Sequence, residues 1–63
     1  MRHAFQIRSE RGWTYDGVGE QSPSNTPETR EAADAELPNL ASVLGVDVSE
    51  LRVVEVSDDF RAP

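Results

Sequence analysis

No cysteine and no lysine occur in this chain. The missing cysteine removes disulfides as a source of stability and rules out a thiolate zinc site. With lysine absent, all basic residues are arginine, six of them against twelve carboxylates, for a formal charge of -6. Binding to a phosphate backbone is driven by cationic side chains that neutralise phosphates, so nucleic acid is not an expected partner. Long apolar runs are missing too. Nothing approaches the ~20 residues needed to span a bilayer, and the first residues, MRHAFQIRSERG, contain no apolar core of a signal peptide. The expectation is a cytoplasmic protein with no membrane partner.

Chemistry-bearing motifs are equally scarce. His3 is the only histidine, and beside the first methionine it reads as an exposed terminal residue. One imidazole and no Gly-x-Ser-x-Gly elbow leave no nucleophilic triad to assemble. Gly17-Val18-Gly19 is not a phosphate cradle, since no Lys-Ser/Thr follows and the next residue is Glu20. Glu55, Asp58 and Asp59 form the densest carboxylate group, but without the alternating spacing of a calcium loop. The chain therefore reads as a non-enzyme, with no catalytic residues, metal or cofactor.

What is present is a pattern for one small α+β domain over residues 1–63. Phe5 and Ile7 alternate with Gln6 and Arg8, and Trp13 and Tyr15 with Thr14 and Asp16, the period-2 signature of two strands. Ser9-Glu10-Arg11-Gly12 between them suits a type I turn closed by a left-handed Gly12 with a bulge. That turn would set Ile7 opposite Tyr15 and Ser9 opposite Trp13, placing Phe5, Ile7, Trp13 and Tyr15 on one face. Glu20–Asn25 is a polar loop. Thr26-Pro27-Glu28 reads as a helix entry, with Thr26 as cap and Pro27 in the first turn. Ala33, Leu37, Leu40, Ala41 and Leu44 then form one helical stripe.

Pro38 interrupts that stripe. It either kinks one helix or breaks it at Leu37 and starts a second segment to Leu44, and the break is the expectation. Gly45 is a natural C-cap, and Asp47 or Ser49 can cap a single turn. Arg52–Val56 is a third strand, with Val54 and Val56 toward the core and Val53 packing less fully, while residues 57–63 form a flexible polar tail. The fold class is thus a small ββαβ domain: an N-terminal β-hairpin, a helix broken near Pro38, and a C-terminal third strand in one sheet with the helix packed on one face.

In element order, residues 4–57 resemble the opening of a β-grasp domain, the ubiquitin-like arrangement of hairpin, helix and third strand. That resemblance implies a third strand parallel to the first. The chain lacks the later strands of that fold and ends Arg61-Ala62-Pro63 instead of Gly-Gly, so conjugation is not implied.

A domain of this size buries only about 60% of its unfolded surface, so a marginal core and self-association or a permanent partner are expected. The expected function is protein–protein contact without catalysis, with self-association through a sheet edge. The alternative is an acidic regulator or inhibitor of a basic nucleic-acid-binding protein, whose binding would weaken with salt. The side chains expected to meet a partner are Arg8, Arg11, Trp13, Tyr15, Val53 and Phe60. Trp13 has two readings, aromatic core under the helix or partly exposed anchor.

Overall fold

The alternation in the first nine residues does build a strand. In the computed structural model, which describes residues 1–63, β1 runs Arg2–Ser9 and β2 runs Gly12–Thr14. The helix α1 spans Arg30–Leu44, a single 3-10 turn covers Val48–Glu50, and β3 is Leu51–Val56. The sheet order is β2-β1-β3 and both pairings are antiparallel, with the helix packed on one face. No helix is long and apolar enough to cross a membrane.

The hairpin register differs from the sequence expectation by one residue. Ser9 pairs with Gly12, Arg8 with Trp13 and Ile7 with Thr14. The loop is therefore two residues, Glu10-Arg11, and Gly12 carries the positive φ of 113°. The Ser9 hydroxyl donates to the Gly12 carbonyl at 3.1 Å and accepts from the Arg11 N–H at 3.3 Å, which ties the turn shut. A one-residue slip moves a strand's whole side-chain set to the other face. Trp13 accordingly joins Arg8 on the face away from the helix, and Phe5 and Ile7 pack against the helix without it.

Phe5, Val18, Ala33 and Val53 form the buried centre, with Ile7, Leu37 and Leu40 packed around them. Cross-strand pairing of Phe5 with Val53 puts both on the helix face. Val53 is thus a core residue, whereas Val54 lies half-exposed on the other face and Val56 is buried there. The expectation had Val53 and Val54 the other way round. His3 is also corrected: it lies on the same face as Phe5 and is buried, with Nδ1 lacking a hydrogen-bond partner.

The helix begins three residues later than expected. Thr29, extended at φ -120° and ψ 152°, is the cap, and its hydroxyl accepts from the Ala32 N–H at 3.0 Å. Thr26 is committed elsewhere. It is buried, its hydroxyl donates to the Ser22 carbonyl at 2.8 Å, and it accepts from the Arg2 guanidinium at 2.8 Å. The neighbouring Pro27 carbonyl accepts from the His3 N–H at 2.9 Å, so this segment lies along β1 instead of starting a helix.

At Pro38 the chain takes the single helix, not the break. The proline removes the bond that would end on the Asp34 carbonyl, but both residues are exposed, where water can serve that carbonyl. Splitting the helix would orphan several more backbone groups and interrupt the stripe of Ala33, Leu37, Leu40 and Ala41. Gly45 closes the helix as expected, at φ 72° and with its N–H on the Ala41 and Ser42 carbonyls.

The third strand is antiparallel, which departs from the β-grasp arrangement. The segment carrying Pro27 ends beside His3, at the start of β1. From there a 15-residue helix rises about 22 Å, close to the length of β1, and delivers the chain to the hairpin end. β3 must then descend, with Leu51 opposite Ile7 and Val56 opposite Arg2.

Beyond Thr14, a side chain continues the work of β2. The Gln21 amide accepts from the Phe5 N–H at 2.8 Å and donates to the Phe5 carbonyl at 3.0 Å. Its backbone pairs with Ala62, with both bonds at 2.9 Å. Residues 57–63, the expected tail, thus turn back onto the loop. Phe60 donates its N–H to Ser57, and Ala62 is buried.

Candidate interaction surfaces

The face of the sheet opposite the helix is buried at one end and open at the other. Ala4 and Val56 are buried, Gln6 and Val54 are intermediate, and Arg8 and Arg52 are exposed near the hairpin. Register places these residues on one face: Arg8 faces Trp13, and Gln6 faces Arg52. The half-exposed Trp13 lies within range of two guanidinium groups, with Arg8 Cζ 5.2 Å and Arg52 Cζ 4.7 Å from its ring centroid. Each such contact is worth about 0.5–1 kcal/mol when exposed.

The two arginines differ in their other partners. Arg8 Nε sits 3.3 Å from Glu50, an ion pair exposed enough to contribute little. Arg52 Nε donates to Gln6 Oε1 at 2.8 Å and has no carboxylate partner. Arginine stems commonly lie over apolar surface while their heads stay in water. Here they cover the flanks of a tryptophan that the helix does not reach.

This arrangement predicts a measurable asymmetry in quenching. Trp13 is the only tryptophan, so its emission reports one environment. Near two cations, iodide should quench it more strongly than caesium does, and Arg52→Met should reduce that difference. Emission that is blue-shifted and protected from both ions would place the indole inside the fold.

The remaining sequence candidates fall in separate places. Arg11 is exposed in the hairpin loop, without an ion-pair partner. Tyr15 and Phe60 pair with each other, ring centroids 5.0 Å apart and planes tilted by 49°, so the tail's aromatic group is met within the chain. Val53 offers its side chain to the core, not to solvent. Arg52 and Gln6 were not among the expected contacts. Period-2 alternation could have flagged Arg52 as opposite in face to Val53, but its approach to Trp13 depends on the hairpin register.

A second surface is the outer edge of β3. Phe5 directs both backbone groups to Gln21, and His3 donates to Pro27, so both point away from β3. In an antiparallel ladder their partners Val53 and Glu55 must then point away from β1. No backbone bond outside the sheet engages Val53 or Glu55, so the N–H and C=O groups of both face outward unpaired. Neither proline nor lysine blunts this six-residue edge.

Two surface clefts complete the picture, one lined by Glu20–Ser22 and Arg61–Pro63, the other by Met1, Arg2, Glu28, Thr29 and Asp58. Each has a single hydrophobic lining residue, unlike the mainly apolar lining of small-molecule sites. Compared with protein-family models, curated proteins and solved structures, the chain matches none.

Proposed function

We propose that this chain is an acidic, non-enzymatic cytoplasmic protein that acts through protein–protein contacts and associates with itself through the outer edge of β3. The reading rests on one observation, the outward unpaired backbone groups of Val53 and Glu55. An edge of this kind is a template for another strand, and pairing with a second copy removes it. The slender core adds to the reading. Nine hydrophobic residues are buried and four of these are alanine, so a stabilising second copy would have a large relative effect.

Association would show as a dimer mass in sedimentation equilibrium at micromolar concentration. The unfolding midpoint should also rise with protein concentration, because dimerisation couples to folding by mass action. A monomer mass across that range, with a concentration-independent midpoint, would remove self-association from the reading.

A further inference from the structure

Resting on that self-association, we infer that two copies join β3 to β3 in antiparallel fashion about a two-fold axis at Val54, forming one six-stranded sheet. Only registers centred on a whole residue bring outward groups of one strand opposite outward groups of the other. Four such centres lie on the strand's interior: Arg52, Val53, Val54 and Glu55.

Charge disposes of two. Centring on Arg52 or Glu55 puts each residue directly opposite its own copy, and facing like charges are destabilising in a sheet. Centring on Val53 pairs Val53 with its copy and sets Glu55 opposite Leu51. The Leu51 N–H is already given to the Val48 carbonyl, so the Glu55 carbonyl would remain unpaired. Centring on Val54 pairs Val53 with Glu55 of the second copy, twice. Every free N–H and C=O of both residues then finds a partner.

The side chains agree with that centre. Val54 is half-exposed on the face away from the helix. At the axis it meets its own copy across a non-hydrogen-bonded pair, the closer of the two antiparallel spacings, at a Cα separation of about 4.5 Å. Arg52 faces Val56 of the second copy, and Val53 faces Glu55, so no like charges oppose. Both helices lie on one side of the joined sheet, and both Trp13 groups on the other.

The absence of cysteine makes the register directly testable. Val54→Cys should cross-link to a covalent dimer under mild oxidation, since facing residues at that spacing fall within disulfide reach. Val43→Cys, on an exposed helical position, measures random collision. The Val54→Cys rate should exceed it by at least about tenfold. Wild-type chains provide a second measurement that avoids any folding defect. In a mixture of isotope-labelled and unlabelled copies, filtered NOEs should connect Val54 to Val54 across the interface.

A dimer by sedimentation whose Val54→Cys variant links no faster than Val43→Cys, or whose intermolecular NOEs join Val53 to Val53, overturns the register but leaves self-association standing. A wild-type chain that stays monomeric overturns both.

Discussion

Replacing Gln21 with leucine should destabilise the domain by about 2–4 kcal/mol, a loss read as a lower urea midpoint with little change in slope. The amide completes the central strand by donating to one backbone group of Phe5 and accepting from the other. Both contacts are buried, and Gln21 itself is 5% exposed. Leucine has similar bulk but neither donor nor acceptor. It would leave a buried N–H and a buried carbonyl unsatisfied, each at a cost of about 1–3 kcal/mol before relaxation. A chain of this length has only a few kcal/mol of net stability, so a substantial unfolded fraction is expected without denaturant.

Gln21→Glu separates the hydrogen bonds from packing. The substituted carboxylate can still accept from the Phe5 N–H, but it faces the Phe5 carbonyl with a second acceptor. Protonation would restore a donor there. The folded state therefore favours the protonated form and raises that carboxyl's pKa above its unfolded value. The stability deficit relative to wild type should be smallest at pH values below the unfolded carboxyl range and grow as pH rises through the folded value. A deficit independent of pH would mean that Gln21 acts by shape alone.

Phe5→Ala should cost about 3–5 kcal/mol, the range for removing a buried phenylalanine, and leave the chain largely unfolded. Phe5 is the largest side chain in the buried cluster and is seated among Val18, Ala33 and Val53. Trp13→Ala should cost much less, about 1–2 kcal/mol, because it removes half-exposed surface and two exposed cation–π contacts. The order of these effects tests the hairpin register. With the tryptophan under the helix, as the one-residue-shifted pairing would have it, the two losses would be comparable. Thermal melts followed by far-UV circular dichroism would compare the two variants.

That register marks where the sequence was and was not legible. The two strands, the helix, its glycine cap and the final valine-rich strand follow from local patterns that tertiary packing did not override. Which face of the sheet receives Trp13 depends on whether the hairpin loop has two residues or three. Ser9-Glu10-Arg11-Gly12 is compatible with both, since Gly12 can adopt a positive φ in either. The helix start departs from the local pattern for a different reason. Thr26-Pro27-Glu28 has the composition of a cap, but Arg2, 24 residues away, binds Thr26. Long-range competition of that kind leaves no local trace. In sequence Gln21 is only part of a polar loop, because nothing in its neighbours announces that its amide will serve as strand backbone. The open face is half legible: Arg8 and Trp13 stand out in the hairpin pattern, whereas Arg52 joins them only through the register.

The central position of β1 also bears on how the fold can form. Its longest partner is β3, whose paired residues lie 44 to 54 positions further along, and Gln21 is itself tied to Ala62. The pairings that hold the middle strand therefore join distant parts of the chain, and closing such loops must precede the contacts that reward it. The short hairpin alone offers three paired rungs and no helix to cover them. A high-contact-order topology of this kind favours slow folding for a domain of its size. During synthesis, the edge of β1 that β3 will cover would wait unpaired until β3 has left the ribosome.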